Sequence, residues 1–121
     1  MIEKIERDVR PWGKFHTYAK NEKCTVKILT VQPNEMLSLQ KHKMRDELWL
    51  CLSGVGRATI DKKEIILLQN DIVQIKKGEL HRLENKEQQV LKILEISTGF
   101  FDEEDNERIE DIYGRAKDEK K

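Results

Sequence analysis

Four residues of this sequence have the types and spacing of metal ligands. Gln40, His42 and Glu47 lie close together in the chain, and His81 follows much later. Between them, residues 48–80 alternate short apolar runs with Gly- and Lys-containing turns, which predicts strands that fold the chain back. Amide oxygen, carboxylate and imidazole together suit Zn²⁺, Mn²⁺, Fe²⁺, Co²⁺ or Ni²⁺ without selecting one of them. We therefore predict a divalent metal site with ligands Gln40, His42, Glu47 and His81.

The elements that must position these ligands are short β-strands. Gln40 and His42 are two residues apart, so on a strand they point to the same face, which has to be the interior of a barrel. Short strands separated by turn signals at intervals of about eight to twelve residues are typical of all-β sandwiches and barrels. Strands are predicted at 24–31, 48–52, 55–60, 64–68, 72–75, 80–83 and 90–96.

Length and composition limit the class of protein. A chain of 121 residues predicts a single domain over 1–121, with an N-terminal arm at about 1–15 and a C-terminal tail at about 100–121. The tail is expected to hold one helical turn or to lie extended. Hydrophobic residues make up only 37% of the chain, so the core is lean, and we expect a homodimer.

Charge and cysteine content restrict partners and location. The 23 basic and 23 acidic residues cancel, which argues against nucleic-acid binding by bulk electrostatics but allows a local basic pocket for one phosphate. No apolar run is long enough to span a membrane. Cys24 and Cys51 form no C-x-x-C pair and are expected to be small buried hydrophobes, so a reducing, cytoplasmic location is predicted.

Two segments resemble the sequence motifs of the cupin superfamily. The first motif is matched by Gln40-x-His42, Glu47 and Gly54, with Gln40 in place of the usual first histidine. The second is matched within residues 70–85 by Gly78, His81 and Asn85, although Asn70 and Lys76 replace the usual Gly and Pro. The resemblance implies a double-stranded β-helix, or jelly-roll, barrel around the metal.

A narrower resemblance covers about residues 10 to 115. Three segments are similar to the cupin domain of type II mannose-6-phosphate isomerases. They are Arg-Pro-Trp-Gly at 10–13, Gln-x-His-x-x-Arg-x-Glu-x-Trp at 40–49, and the segment 104–115, which ends in Tyr-Gly-Arg. The resemblance implies a metal-dependent aldose–ketose isomerase that interconverts mannose 6-phosphate and fructose 6-phosphate through an enediol. In many relatives this domain follows a nucleotidyltransferase domain; none is expected here, so no guanylyltransferase activity is implied.

Further roles follow from the resemblance and from the chemistry of the side chains. Guanidinium groups suit bidentate contacts with phosphate. The predicted catalytic residues are Arg115, which binds phosphate or polarises the carbonyl, and Glu47 and Lys14, with His81 a further candidate for the general base. The predicted substrate contacts are Arg45, Trp49, Arg108 and Tyr113. Surface ion pairing of Arg45 and Arg108, and core packing of Trp49, are the alternatives.

Two other functions are compatible with the same fold. One is a non-catalytic cupin that binds a sugar phosphate or a nucleotide sugar, as a regulatory partner of a separate nucleotidyltransferase. The other is a metal-dependent dioxygenase, which has no use for an Arg-containing exit segment. Fold alone decides among none of these.

Overall fold

The computed structural model describes residues 5–100, 102, 104, 105 and 107–110, and this part of the chain is built of strands. The strands are β1 (Glu6–Arg10), β2 (Gly13–Thr17), β3 (Cys24–Val31), β4 (Leu39–Lys41), β5 (Arg45–Ser53), β6 (Gly56–Ile60), β7 (Lys63–Leu67), β8 (Ile72–Ile75), β9 (His81–Glu84), β10 (Leu91–Gly99) and β11 (Glu107–Glu110). The all-β prediction is confirmed. Among the described residues there is no helix that could cross a membrane.

Two antiparallel sheets enclose the interior. The four-stranded sheet has the order β3-β10-β5-β8 and the five-stranded sheet the order β11-β4-β9-β6-β7, while β1 and β2 form a separate hairpin. Strands that are distant in sequence therefore lie side by side, as in the pairing of Gln40 on β4 with His81 on β9. This crossover brings the two halves of the predicted metal site to one place.

The interior between the sheets is apolar at one end and polar at the other. The main core contains Val31, Trp49, Cys51, Ala58, Ile60, Leu67, Ile75, Leu83, Leu91 and Ile93. A smaller cluster on the outer face of the four-stranded sheet is centred on Leu48 and Ile96 and is packed by Ile5, Tyr18 and Ala19. The N-terminal segment thus covers part of that sheet, because burying its apolar face stabilises the barrel.

Several local predictions need correction. The expected N-terminal arm at about 1–15 is largely the β1–β2 hairpin. A strand carrying Gln40 and His42 was predicted without bounds; β4 includes Gln40 but ends before His42, and β11 was not predicted. In the tail, residues 107–110 are extended and pair with β4, which is the second of the two expected conformations, because the edge of β4 offers backbone partners. Cys51 is buried as expected, but Cys24 is exposed at the start of an edge strand.

Gly99 allows β10 to end against the loop that carries His42. Its φ is +107°, a region that side chains disfavour, and a Cβ there would collide with the backbone oxygen of Met44. The next residue, Phe100, donates its backbone N–H to that same oxygen at 3.1 Å. Glycine at this position therefore lets the C-terminal segment pass closely over residues 42–45.

Candidate metal centre

The two sheets place His42, Glu47 and His81 at one interior point. His81 begins β9, His42 directly follows β4, and Glu47 reaches across from β5 in the opposite sheet. All three residues are buried, with 4%, 2% and 2% of their surface exposed. One ligand atom from each lies within 4.8 Å of the others. The turn at 76–79 is tied to the same place, since Gly78 donates its N–H to the carbonyl of His42 at 2.8 Å.

Both imidazoles are oriented by backbone carbonyls. Nδ1 of His42 donates to the carbonyl of Asp105 at 2.8 Å, and Nδ1 of His81 donates to the carbonyl of Glu79 at 3.0 Å. With Nδ1 engaged by a carbonyl, Nε2 is the nitrogen that faces the cluster, and its lone pair would bind a cation. Such carbonyl contacts are the usual way in which proteins fix the orientation of metal-ligating histidines.

The distances among these atoms fit a divalent ion. Nε2 of His81 lies 3.4 Å from Oε1 of Glu47, and Nε2 of His42 lies 3.6 Å from Oε2 of the same carboxylate. Ligands held at about 2.1 Å from one ion at tetrahedral or octahedral angles stand roughly 3.0–3.4 Å apart. The two His–Glu47 separations are therefore close to those between ligands of one ion, and the three ligand atoms lie within 4.8 Å of one another. The nitrogen and oxygen donors do not identify the ion.

Glu47 is an ionised carboxylate at the centre of the cluster. Burial alone would raise the pKa of Glu47. Hydrogen bonds with His42 and His81, together with the charges of these two residues, outweigh burial and leave this pKa far below its usual range. Arg45 donates from Nε to Oε2 of Glu47 at 3.1 Å, and the hydroxyl of Ser97 approaches the same oxygen at 3.4 Å. A buried negative charge of this kind attracts a cation.

A polar pocket opens above the cluster. Its lining combines the three candidate ligands with residues from both sheets and from the C-terminal segment: Lys27, Leu29, Leu37, Ser38, Gln40, Arg45, Trp49, Glu95 and Arg108. Cationic, anionic and amide side chains thus surround the position where a metal would sit. Such a lining suits a small ligand that carries both charge and hydroxyl groups.

The sequence family is decided by a match over residues 2–111 to the family described as "Mannose-6-phosphate isomerase C-terminal". The chain belongs to this family. The resemblance to this family is therefore confirmed, and the match includes 10–13, 40–49 and the segment from 104 as far as residue 111.

Relatives in this family are longer proteins with other activities in their names. The chain is 39% identical over 108 residues to "Alginate biosynthesis protein AlgA" of Pseudomonas aeruginosa, which covers 88% of this chain and 22% of that protein. It is 39% identical over 114 residues to "Mannose-1-phosphate guanylyltransferase ManC" of Salmonella typhimurium, covering 93% of this chain and 24% of that protein. The chain thus spans about a quarter or less of the length of these relatives.

Solved structures identify the fold. A cupin protein from Bacteroides fragilis matches with a TM-score of 0.59 at 23% identity, covering 63% of this chain and 65% of that one. The capsular polysaccharide assembling protein CapF from Staphylococcus aureus matches with a TM-score of 0.67 at 19% identity, covering 88% of this chain and 34% of that one. The predicted double-stranded β-helix of the cupin type is confirmed.

The predicted activity is wrong. The names of the relatives specify mannose-1-phosphate guanylyltransferase, in proteins from Salmonella typhimurium, Escherichia coli and Sinorhizobium fredii. Guanylyl transfer to mannose 1-phosphate is a different reaction from the interconversion of mannose 6-phosphate and fructose 6-phosphate. The description of the family as an isomerase domain does not outweigh these names, and the isomerase assignment is withdrawn.

The structure gathers most of the predicted site residues but not all of them. Gln40, Arg45, Trp49 and Arg108 line the same pocket as the metal candidates. Lys14, predicted as a catalytic residue, is exposed on the β1–β2 hairpin and is not part of that lining. The hairpin pairs Lys14 with Val9 and carries it away from the barrel interior. Tyr113 and Arg115 lie outside the described residues.

Arg45 and Trp49 have partners that their sequence positions did not reveal. Besides Glu47, the Arg45 guanidinium donates to Nε2 of His42 at 3.2 Å and to the carbonyl of Asp102 at 3.1 Å. The Trp49 ring stands edge-on to the His81 ring, with 5.7 Å between centroids. Trp49 therefore packs against a candidate ligand, whereas the contact of Arg45 with Nε2 of His42 would have to be released when an ion binds that nitrogen.

Three residues at the candidate site were missed by the sequence interpretation: Glu95 and Lys27, which line the pocket, and Asp105, which contacts His42. Glu95 had a detectable signal, because it continues the inward alternation of Leu91 and Ile93 on a predicted strand, where a carboxylate is unexpected. Asp105 had none, since it lies in an acidic run whose members look alike in the sequence. Lys27 alternates with Val26 and Ile28 and resembles an ordinary surface lysine.

Proposed function

We propose that this chain is a metal-binding module that binds a mannose phosphate, or the nucleotide sugar made from it, in support of mannose-1-phosphate guanylyltransferase activity. The observation that carries the proposal is the buried cluster of His42, Glu47 and His81 beneath a pocket that is also lined by cationic side chains. A divalent ion held by these three residues, with Gln40 as a fourth ligand, would act as a Lewis acid toward oxygen atoms of the ligand.

The chain's own residues would bind and orient the phosphate. Arg108 lines the pocket from β11, and we assign phosphate binding to it, whereas Lys27 lines the pocket from β3 beside Glu95. Arg45 is already bonded to Glu47 and to the carbonyl of Asp102, so we assign it the role of balancing the Glu47 charge. Charge-assisted contacts of a guanidinium group with phosphate are strong and directional, which supports the assignment of phosphate binding to Arg108.

The relatives support the choice of ligand. Proteins named mannose-1-phosphate guanylyltransferase contain a segment 37–39% identical to this chain, so a mannose phosphate or its nucleotide sugar is the ligand class we infer. Because the segment is only 19–24% of those proteins, we assign this chain the binding of the ligand and not the transfer of the nucleotide.

Calorimetry on the purified chain tests this proposal. The chain loaded with Zn²⁺ or Mn²⁺ is titrated with mannose 1-phosphate and with GDP-mannose, before and after removal of the metal with a chelator. We expect saturable binding of at least one ligand that is lost with the metal. Arg108→Ala should weaken binding about tenfold or more, since a hydrogen bond to a charged group is worth roughly 1.5–3 kcal/mol.

The matched control is Arg57→Ala, which removes an arginine that pairs with the exposed Glu64 at 2.9 Å and is not part of the pocket lining. It should bind as the unaltered chain does. Absence of binding of either ligand by the metal-loaded chain would overturn the proposal.

The predicted homodimer remains a prediction. Val26 and Ile28 support it, since both are apolar and are 58% and 59% exposed on the edge strand β3. Light scattering during size-exclusion chromatography tests it, and a mass of 14.3 kDa would contradict it.

A further inference from the structure

Glu95 is a buried carboxyl group that the metal cluster does not use. It lies on the interior face of β10 with only 7% of its surface exposed. Its neighbours across the sheet are Trp49 on β5 and Lys27 on β3. A carboxylate in such a place loses hydration, so proteins rarely bury one without a function or a full set of partners.

The carboxyl group is held at one oxygen. Nε1 of Trp49 donates to Oε2 of Glu95 at 3.0 Å. Among the described residues, Trp49 is the hydrogen-bond partner of the Glu95 side chain. Glu95 also lines the pocket. Trp49 is itself 1% exposed and braced against His81, so the orientation of the carboxyl group is fixed. The second oxygen, Oε1, therefore keeps its capacity to accept hydrogen bonds.

This arrangement costs stability. Burial raises the pKa of Glu95, the charge of Glu47 raises it further, and the hydrogen bond from Trp49 and the charges of Lys27 and Arg45 only partly oppose these effects. A neutral or apolar side chain would satisfy the fold better. A destabilising buried acid in a pocket is typical of a functional position.

The pocket thus has two chemically different ends. Ser97 lies two residues beyond Glu95 on β10 and approaches Glu47 of the metal cluster. Two residues of a strand span about 7 Å, so Glu95 lies about that far along β10 from the residue that meets the metal cluster. The metal ligands and Arg108 favour anionic oxygens, whereas a carboxylate repels phosphate and accepts hydrogen bonds from hydroxyl groups. A ligand with a phosphate at one end and hydroxyls at the other can satisfy both ends in one orientation.

We propose that Glu95 is the specificity-determining residue of the pocket and accepts hydrogen bonds from the hydroxyl groups of the bound sugar. The inference rests on the proposed function, because it concerns the ligand of the same pocket. Trp49 is the positioning residue, since it fixes the carboxyl group from behind. The phosphate binds at the opposite end, beside the metal ligands and Arg108.

Glu95→Gln tests this role. Glutamine has the same shape as glutamate, and its amide oxygen can accept the hydrogen bond from Trp49. The NH₂ group of the glutamine then faces the pocket, so a hydrogen-bond donor replaces the acceptor Oε1 of Glu95. The metal-loaded chain is titrated with mannose 1-phosphate and, separately, with inorganic phosphate. We expect affinity for mannose 1-phosphate to fall about tenfold or more and affinity for inorganic phosphate to stay the same or to rise.

Metal content is measured on every sample, and Glu64→Gln, an exposed glutamate outside the pocket, serves as the matched control. Equal losses for mannose 1-phosphate and phosphate would overturn the assignment of Glu95 to hydroxyl groups, as would unchanged affinity for mannose 1-phosphate. If the unaltered metal-loaded chain binds phosphate but neither mannose 1-phosphate nor GDP-mannose, the proposed function fails, and this inference fails with it.

Discussion

Asp105 joins the C-terminal segment to the candidate metal centre. Its carboxylate accepts hydrogen bonds from the backbone N–H groups of Lys43 and Met44, at 3.0 and 2.8 Å, while its own carbonyl accepts the Nδ1 proton of His42 at 2.8 Å. Burial alone would raise the pKa of this carboxyl, but the two backbone hydrogen bonds outweigh burial and lower it. Removing the carboxylate should therefore loosen the segment that orients His42.

The size of the effect follows from the lost contacts. Each of the two hydrogen bonds is partly exposed to solvent, so about 1 kcal/mol each is appropriate. A total of about 2 kcal/mol corresponds to roughly a thirtyfold change in an equilibrium constant. If metal binding requires the segment to be in place, Asp105→Ala should weaken Zn²⁺ affinity by that amount, which lies within the range of about 10- to 100-fold typical of groups that support metal ligands.

A competition titration of Zn²⁺ against a chromophoric chelator measures this change. Asp102→Ala is the matched control, because it removes a carboxylate from the same segment whose recorded hydrogen bond is to the backbone of Glu104 at 3.0 Å. The backbone carbonyl of Asp102, which Arg45 uses, remains in this variant. Equal Zn²⁺ affinity in Asp105→Ala and the unaltered chain, or an equal loss in Asp102→Ala, would refute the reasoning.

Three further predictions concern stability. Burial and the charge of Glu47 raise the pKa of Glu95 from 4.5. The protonated side chain therefore contributes fully to the stability of the fold below pH 4.5, and this contribution is lost as the pH rises through the raised pKa. Glu95→Gln should therefore raise the melting temperature at pH 7 and leave it without a gain at pH 4. A gain in melting temperature of the same size at both pH values would contradict the predicted pH dependence. Gly99→Ala should cost roughly 2 kcal/mol or more in denaturant titrations, because its φ of +107° and the backbone oxygen of Met44 leave no place for a Cβ. Arg45→Gln removes the guanidinium that lies 3.1 Å from the buried carboxylate of Glu47. The melting temperature of the metal-free chain should fall more than that of the Zn²⁺-loaded chain, because a bound cation would replace the lost positive charge. Equal losses of melting temperature would argue against an ion at Glu47.

The repeating part of the fold was predictable, because short strands between turn residues leave a periodic pattern. The runs at 24–31 and 72–75 coincide with β3 and β8, and Asn70, at φ +74°, adopts the turn conformation for which the cupin motif usually has glycine. Strands β4 and β11 left no such pattern. They are short, polar and stabilised mainly by pairing with each other, which depends on contacts distant in sequence.

The candidate site was predictable to the extent that its residues form a motif. Histidine and glutamate at 42, 47 and 81 were found because cupin spacing is specific, and the structure brings all three together. The acids Glu95 and Asp105 were not found. Their importance comes from a register across three strands and from a loop crossing over the barrel, neither of which is visible in local sequence.

Metal stoichiometry tests the central claim most directly. The chain is purified in the presence of Zn²⁺, Mn²⁺, Fe²⁺, Co²⁺ or Ni²⁺, freed of unbound ions, and examined by elemental analysis beside His42→Ala/His81→Ala. We predict about one bound divalent ion per folded chain and none in the double variant, because the two imidazoles supply the nitrogen donors of the cluster. Retention of the same metal content by the double variant, with its circular dichroism unchanged, would contradict the assignment of the site.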